Sequence, residues 1–270
     1  MALFYPKNQD VHYPPSKISQ ILQTSLSKAL SNFYPFAGRL MNNNLSVDCN
    51  DMGAQFVEAR IKCPMSESLK QQKSHLKDLV FVISLSQSNL AGGSLVLVQL
   101  TYFDCGGMAL AASISHKVCD LITKSNFMKD WMLMAHQSSD IRAPPFNGAS
   151  LFPPVDDPLF KGFNPTKGEI CIRRRYLFHA SKIEELKALA SNSGVDRPTR
   201  VEVVSALLYS CAVSASMKNS ASFEPSQLAS AVNLRAITVP SLPQESVGNF
   251  LTHFSVSVNT EDEMKFPELV

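Results

Sequence analysis

Two apolar segments separated by a glycine pair constrain the fold more than any other feature of this sequence. Residues 94–103 are rich in Val, Leu, Tyr and Phe, and residues 108–115 consist mainly of small residues. Their lengths are typical of strands, and Cys105-Gly106-Gly107 favours a turn, so the sequence predicts an antiparallel pair. His116 closes the second strand, and residues 120–135 have the apolar spacing of a helix. The pattern therefore places a histidine where a strand meets a helix.

A helix and two further strands are predicted before this pair. Apolar residues recur at three- and four-residue steps over residues 18–33. This helix is expected to end at Tyr34-Pro35, because the residue before a proline avoids the helical region. Residues 45–49 and 54–61 are predicted to be strands joined by a turn at residues 50–53.

The character of the sequence changes over residues 136–168, which contain six prolines and few periodic residues. Long connections of this kind are usually linkers or functional loops, so a domain boundary is expected near residues 157–168. Ser181-Lys182-Ile183-Glu184 and Thr199-Arg200-Val201-Glu202 both have the pattern of a capping box that starts a helix. These helices are expected to run to about residues 192 and 215. Strands are predicted over residues 169–178, 228–234 and 250–258.

The order of these elements favours an α+β fold, with mixed sheets and flanking helices. Strands and helices intermix without the strict alternation that a parallel βαβ protein would show. The predicted organisation is an N-terminal domain over residues 1–156, a crossover linker over 157–168 and a second domain over 169–270.

Composition excludes several classes of protein. The 25 Lys and Arg residues exceed the 23 Asp and Glu residues by only 2, too little for the basic field of a nucleic-acid or membrane-surface protein. No apolar stretch approaches the roughly 20 residues that span a bilayer, and the N-terminal apolar run is too short for a signal peptide. The six cysteines form no Cys-x-x-Cys pair, so they are expected to be buried and not to bind zinc. A reduced cytoplasmic protein is therefore expected, without a metal, membrane or nucleic-acid partner.

The remaining candidate for chemistry is His116, which is followed four residues later by Asp120. The sequence has no Gly-x-Ser-x-Gly, His-Glu-x-x-His, phosphate-loop or Gly-x-Gly-x-x-Gly motif. The His-x-x-x-Asp spacing is weak by itself, because His136 and Asp140 have it too, in a polar setting where a solvated histidine is expected. From spacing alone His116 is either a base held at a strand end or a satisfied core histidine.

Several segments in the same order resemble the plant BAHD acyltransferases. They are Tyr34-Pro35-Phe36-Ala37-Gly38-Arg39 after the first helix, His116-x-x-x-Asp120, Asn233-Leu234-Arg235 and Val247-Gly248-Asn249. Phe152-Pro153-Pro154-Val155-Asp156 and Val47-Asp48-Cys49-Asn50-Asp51 are most similar to the branch that acylates alkaloids. The similarity extends along most of the chain, which makes it far more specific than any single motif.

The resemblance implies two chloramphenicol-acetyltransferase-like domains and a general base. His116 would take the proton of an acceptor hydroxyl as its oxygen attacks the thioester of an acyl-CoA, with acetyl-CoA expected. Asp120 would be structural and would pair with Arg235. Asn233 and Arg235 lie two apart on a predicted strand, so they are expected on one face, where Asn233 would support the His116 turn. No permanently bound cofactor is implied, and a monomer acting on a small-molecule alcohol is expected.

The sequence departs from this family at two places. Leu121 stands where most members have glycine, and the family's Asp-Phe-Gly-Trp-Gly motif is missing, since Trp131 is the only tryptophan. The second domain is therefore expected to be incomplete, with a short N-terminal piece absent too. The alternative function is a non-catalytic relative that at most binds a ligand or partner. A bacterial-type acetyltransferase or condensation-domain relative would share the histidine motif but would explain neither residues 34–39 nor 233–235.

Two other polar segments are expected to be structural. Arg173-Arg174-Arg175 could contact CoA phosphates, but neighbours on a strand point to opposite faces, so a solvated edge strand is favoured. Residues 34–39 are expected to pack where the first helix ends, not to form a site.

Overall fold

The computed structural model describes residues 1–7, 13–41, 46–70, 93–138, 141, 143–153, 176–220 and 222–270. The chain divides into two compact units, Met1–Arg174 with Leu234–Phe250 and Arg175–Asn233 with Leu251–Val270. The linker predicted at 157–168 lies outside the described residues, so the domain bounds stay predictions. The strand predicted over 169–178 lies largely outside them too, and its last three residues are not in a strand.

The first unit contains a four-stranded sheet, a two-stranded sheet and several helices. Its strands are β1 (Ala2–Tyr5), β2 (Arg39–Leu40), β3 (Val47–Asp48), β4 (Gln55–Ile61), β5 (Val96–Phe103) and β6 (Met108–Ile114). Its helices are α1 (Pro15–Asn32), α2 (Met65–Lys70), α3 (Leu121–Ala135) and α4 (Gly148–Leu151), with 3-10 helices at Tyr34–Ala37 and Leu234–Ala236.

The predicted strand pair forms the centre of the larger sheet. The strand order is β1-β6-β5-β4, and β5 pairs antiparallel with β6 from Val96↔Ile114 to Tyr102↔Met108. Gly106, at φ 78°, occupies the left-handed region that the tight connection requires. Because β6 runs directly into His116 and α3, the expected strand-to-helix junction is confirmed.

The two strands predicted at residues 45–49 and 54–61 do not pair with each other. β3 pairs with β2, whereas β4 pairs in parallel with β5. The turn between them is bonded to the segment that follows α1. The Gly53 N–H donates to the Ala37 carbonyl at 2.9 Å, and Arg39 Nη1 donates to the Gly53 carbonyl at 2.8 Å. These bonds separate the two strands, so each one finds a different partner.

Helices α1 and α3 pack on one face of this sheet and form the core. Their contact includes Leu22, Leu26 and Ala29 of α1 with Phe127 and Trp131 of α3. Trp131 is fully buried, and its Nε1–H donates to the Leu22 carbonyl at 3.1 Å. Burying one large apolar side chain stabilises a fold by about 1.5–3 kcal/mol, so this contact anchors α3, the helix that follows the His116 turn.

The second unit combines helices with an antiparallel strand pair. Its elements are α5 (Ala180–Asn192), α6 (Arg200–Ser220), β7 (Ser226–Asn233), β8 (Leu251–Val258), a 3-10 helix at Glu261–Met264 and α7 (Phe266–Leu269). β7 pairs with β8 from Ser226↔Val258 to Asn233↔Leu251. Its small core contains Ala206, Tyr209, Val213, Val258 and Leu269. The two predicted helices and the strands predicted over residues 228–234 and 250–258 are thus present, although α6 runs five residues past the expected end.

One of the two predicted capping boxes is confirmed and the other is wrong. Glu202 N–H donates to Thr199 Oγ1 at 3.2 Å, and Thr199 N–H donates to Glu202 Oε2 at 2.6 Å, which is the reciprocal pattern. Helix α5 instead begins at Ala180, and its N-cap is His179 with no side-chain hydrogen bond. Ser181 therefore lies inside the first turn, where it cannot act as the cap.

Helix α6 is long and apolar enough to cross a membrane by the criteria of length and composition. It has 21 residues with a mean hydropathy of 1.2, and 22% of that window is buried. The expectation that no apolar stretch approaches this length is wrong by these criteria. A single such helix is weak support for a membrane span, because core helices pass the same test.

The cysteines of the described chain differ from the expectation that they are buried. Cys119 is buried, Cys63 is half-buried, and Cys49, Cys105 and Cys211 are exposed. All five are free, and Cys171 lies outside the described residues. Cys49, Cys63 and Cys105 follow strand ends, where side chains reach solvent, which explains why the prediction of burial fails.

Candidate functional site

His116 lies on a tight turn between β6 and α3. The Ser115 N–H donates to the Leu95 carbonyl at 2.9 Å, and the Val118 N–H donates to the Ser115 carbonyl at 3.2 Å. Asn249 Nδ2 donates to the His116 carbonyl at 2.6 Å. The backbone of the turn is thus fixed on both sides while His116 itself is exposed. Solvent can therefore reach this residue.

Asp120 ends the same turn and caps α3. Its Oδ1 accepts a hydrogen bond from the Thr123 N–H at 2.8 Å, and its Oδ2 accepts one from the Phe250 N–H at 3.0 Å. Arg235 donates from Nη1 to Oδ2 at 2.6 Å and from Nη2 to Oδ1 at 3.2 Å, a bidentate arrangement. Both carboxylate oxygens are therefore engaged by donors other than His116.

The ion pair is buried, with 6% of the Asp120 side chain and 0% of the Arg235 side chain exposed. Burial raises the pKa of Asp120, but the hydrogen bonds from Arg235, Thr123 and Phe250 and the positive charge of Arg235 outweigh it and hold this pKa below its usual value. Asp120 is consequently ionised at neutral pH, which keeps the pair intact. The pairing that the resemblance implies is present, and its role in the reaction stays a prediction.

Thr123 and Ser246 complete the surroundings of the Arg235 guanidinium. Nη2 donates to Thr123 Oγ1 at 2.9 Å and to the Ser246 carbonyl at 2.8 Å. The guanidinium carbon lies 4.8 Å from the centroid of the Phe250 ring, in cation–π geometry. A buried charge is costly unless it is well partnered, and this one has partners on several sides.

The segment from Ser246 to Phe250 runs along the His116 turn and connects it to a distant part of the sequence. The Asp120 N–H donates to the Gly248 carbonyl at 3.2 Å, and Thr123 Oγ1 donates to the same carbonyl at 3.0 Å. Gly248 has φ 152°, and a Cβ there would lie 3.1 Å from the Phe250 ring. A glycine is therefore required where this segment bends past the turn.

Arg235 is not placed as the sequence suggested. β7 ends at Asn233, and Arg235 belongs to the following 3-10 helix, so the two residues do not share one strand face. The chain turns here because the Leu234 N–H donates to the Phe250 carbonyl at 2.9 Å. Asn249, to which the sequence assigned no role in the site, makes a hydrogen bond to the His116 carbonyl of the kind expected of Asn233. The supporting role of Asn233 stays a prediction. The Val247-Gly248-Asn249 motif was the available signal.

Residues 34–39 pack as expected where α1 ends. Phe36 and Ala37 are buried, and Arg39 Nη1 donates to the Gly38 carbonyl at 2.8 Å. Tyr34 differs, since it is 46% exposed and its ring centroid lies 4.9 Å from that of Phe146, with the two rings tilted by 51°.

Of the other sequence candidates, His136 is described and does not join the turn. His136 is exposed at the C-cap of α3, and Asp140 and Arg173–Arg175 lie outside the described residues. Leu121, the first residue of α3, is 68% exposed. Within the described ranges, no group of three or more His, Cys, Asp or Glu side chains could hold a metal ion.

Comparisons with known proteins identify the family of the chain. The family described as Transferase matches residues 1–270. A 17,18-epoxy-17-hydroxycur-19-ene N-malonyltransferase of Strychnos nux-vomica is 48% identical over 254 residues, covering 94% of this chain and 54% of that relative. The chain thus spans about half the length of the curated relatives that it matches.

Two solved structures share the fold. The crystal structure of vinorine synthase matches with a TM-score of 0.83 and 31% identity, covering 99% of this chain and 64% of that one. TRI101 of F. sporotrichioides, complexed with coenzyme A and T-2, matches with a TM-score of 0.68 at 14% identity, covering 99% and 65%. The first confirms the expected acyltransferase fold, and the second supports the fold alone. The chain therefore belongs to the Transferase family, that of the BAHD acyltransferases.

Proposed function

We propose that the protein transfers an acyl group, acetyl in the first instance, from acyl-CoA to a hydroxyl of a plant specialised metabolite such as an alkaloid. His116 is the general base. The observation that carries this proposal is the exposed His116 on a turn whose backbone and neighbouring ion pair are fixed by hydrogen bonds. The family and the names of its relatives support the reaction class.

The reaction requires one proton to move twice. His116 takes the proton of the acceptor O–H while the oxygen attacks the thioester carbonyl carbon. The tetrahedral species then collapses, the C–S bond breaks, and the imidazolium returns the proton to the departing CoA thiolate. The products are an ester and free CoA, and atoms and charges balance without a covalent acyl-enzyme. A positioned base of this kind contributes about 10²–10⁴-fold to the rate.

In this proposal Asp120 positions the His116 turn and takes no part in the proton transfer. Its carboxylate is bound by Arg235 and caps α3, so it holds the end of the turn that carries His116. A His-Asp dyad would need the same oxygens to receive the imidazole N–H, and Arg235, Thr123 and Phe250 already engage them. Arg235, 115 residues away in sequence, holds the Asp120 carboxylate in position.

The alternative is a non-catalytic relative that binds a ligand or partner. An assay of the free CoA thiol that the purified 270-residue chain releases from acyl-CoA distinguishes the acyltransferase from the non-catalytic relative. The assay uses acetyl-CoA and malonyl-CoA with hydroxylated and amine-bearing alkaloids, because one relative is named as an N-malonyltransferase. His136→Ala is the matched control, since His136 has the same spacing to an aspartate.

We expect thiol release that His116→Ala abolishes and His136→Ala leaves unchanged. Thiol release only in the presence of amine-bearing acceptors would mean that the acceptor atom is nitrogen and not the proposed hydroxyl oxygen. No release from any acceptor, or equal release from the His116 variant, would favour the non-catalytic alternative.

We further propose that the protein acts as a cytoplasmic monomer without a membrane or nucleic-acid partner. The formal net charge of +2 supports weak attraction to phosphate-rich surfaces. Light scattering and cell fractionation test these points, and a dimer or recovery in membranes would contradict them.

A further inference from the structure

Cys63 and Cys105 stand at matching positions beyond two neighbouring parallel strands. The register of β4 and β5 ends at the pair Ile61↔Phe103, and each cysteine lies two residues further along. Adjacent strands are about 4.8 Å apart, and Cα atoms joined by a disulfide are usually about 4.4–6.8 Å apart. The strand register thus brings the two thiols to the same end of the sheet.

The two segments stay together after the strands end. The Met65 N–H donates to Cys105 Sγ at 3.4 Å, and Met65 is only two residues beyond Cys63. A Cβ placed on Gly107 would lie 3.4 Å from Cys105 Sγ and 3.5 Å from Met65 Sδ. Sulfur atoms of both segments therefore surround one glycine of the β5–β6 turn.

The two thiols have different surroundings. Cys105 is exposed, and the backbone N–H groups of Met65 and Gly107 lower the pKa of its thiol, against the opposing effect of the Asp104 charge. Cys63 is half-buried, with its Sγ 3.2 Å from Ser68 Oγ. The other cysteines for which a shift is resolved differ: burial raises the pKa of Cys49, and it raises that of Cys119 to about 12.

We propose that Cys105 and Cys63 form a peroxide-sensitive thiol pair, with Cys105 as the attacking and Cys63 as the resolving cysteine. The Cys105 thiolate attacks one oxygen of hydrogen peroxide, the O–O bond breaks, and Cys105 becomes a sulfenic acid. The departing hydroxide takes up the proton that the thiol had released and leaves as water. Cys63 then attacks the Cys105 sulfur, and a second water departs as the disulfide forms. Two thiols and one peroxide give one disulfide and two waters, so the peroxide is the only oxidant required.

This bridge would lie at the opposite end of β6 from His116. The β5–β6 turn precedes Met108, and His116 follows Ile114 at the other end of the strand. The bridge would close the chain between residues 63 and 105 and connect the end of β4 to the turn. Such a crosslink restricts the unfolded chain, so the oxidised protein should melt at a higher temperature than the reduced one.

Peptide mapping after peroxide treatment tests the pair. The reduced chain is treated with one equivalent of hydrogen peroxide, digested without reductant and analysed by mass spectrometry, with dimedone to trap sulfenic acid. We expect a Cys63–Cys105 crosslinked peptide that dithiothreitol removes, together with a melting temperature that rises on oxidation and returns on reduction. Iodoacetamide at pH 7 should label Cys105 faster than Cys49, because the lowered pKa of Cys105 and the raised pKa of Cys49 give Cys105 the larger thiolate fraction.

Serine variants assign the two roles. Cys63→Ser should leave Cys105 as a dimedone adduct without a crosslink, and Cys105→Ser should give neither product. Cys49→Ser and Cys211→Ser are matched exposed controls that should keep the crosslink, and circular dichroism checks that every variant is folded. Dimedone on Cys105 of the unsubstituted chain without a crosslink, equal oxidation of Cys49, or no oxidation at all would each overturn the proposal.

Discussion

Arg235 binds both carboxylate oxygens of Asp120 across 115 residues of sequence, with an Nη1–Oδ2 distance of 2.6 Å. The pair lies at the end of the turn that carries His116, and both side chains are almost fully buried. A distant segment of the chain is thus required to hold the local geometry of the proposed base.

Asp120→Ala should destabilise the first unit strongly. Removing one member of a buried pair leaves the other charge without compensation, which costs about 3–5 kcal/mol. Chemical denaturation monitored by circular dichroism measures this change. The double variant Asp120→Ala/Arg235→Met should be less destabilised than the sum of the two single variants. A stable, soluble Asp120→Ala protein with only its chemical rate reduced would contradict the structural role.

The stability of the protein should depend on pH through Asp120. Its pKa in the folded state is lowered, so the ionised pair contributes its full stability above the unfolded pKa of about 3.9. This contribution is lost as the pH falls through the folded value. Unfolding free energies measured from pH 7 to pH 3 should therefore decrease more steeply for the unsubstituted chain than for Asp120→Asn. Parallel curves would show that Asp120 does not contribute in this way.

Asp130 should show the opposite dependence. Burial, together with the charge of Glu245, raises the pKa of Asp130 above its usual value, although Lys129 opposes them. Because the folded state binds this proton more tightly, the group opposes folding at neutral pH and the penalty disappears as the pH falls through the raised pKa. Asp130→Asn should therefore raise the unfolding free energy at pH 7 and lose this advantage in acid. A destabilised variant at pH 7 would contradict the assignment.

Thr123→Val removes a hydroxyl while keeping the shape of the side chain. Thr123 Oγ1 accepts from Arg235 Nη2 at 2.9 Å and donates to the Gly248 carbonyl at 3.0 Å, within the buried site. Leaving these partners unsatisfied should cost about 1–3 kcal/mol in the free energy of unfolding. Thr24→Val, at an exposed position of α1, is the matched control and should change stability by less than about 0.5 kcal/mol. Equal changes in the free energy of unfolding for the two substitutions would contradict a stabilising role for the Thr123 hydroxyl.

The two capping segments provide a test within the second unit. Thr199 caps α6 through the reciprocal hydrogen bonds with Glu202, so Thr199→Ala should cost about 1 kcal/mol. Ser181 lies inside the first turn of α5, and Ser181→Ala should be neutral or slightly stabilising, since alanine is the better helix former. Thermal unfolding of both variants measures the difference, and the reverse order would contradict the assignment of the helix starts.

Local signals predicted the elements around His116 well. Strands β5 and β6 are continuous apolar segments with a glycine turn, and α3 has helical spacing together with an aspartate cap. Each of these features depends on residues close in sequence. The partner of β4 was missed because it depends on how Arg39 and Ala37 hold the turn at Gly53, which no local pattern records.

The site itself was only partly predictable. His116, Asp120 and Arg235 follow from matching family motifs, but the hydrogen bond from Asn249 to the His116 carbonyl requires the chain to return after Arg235. The end of β7 at Asn233 was also unpredictable, because the 3-10 helix after it depends on a backbone hydrogen bond to Phe250. Ser181 and Thr199 carry the same four-residue pattern, and the backbone before each helix decides which one is a cap.

Measuring turnover and acyl-CoA affinity in the same His116→Ala preparation shows whether His116 is the base of an acyl transfer. We expect a fall in kcat of about 10²–10⁴-fold, with the dissociation constant for acyl-CoA unchanged and the circular dichroism spectrum preserved. Turnover that survives the substitution, or a loss explained entirely by weaker acyl-CoA binding, would contradict that role.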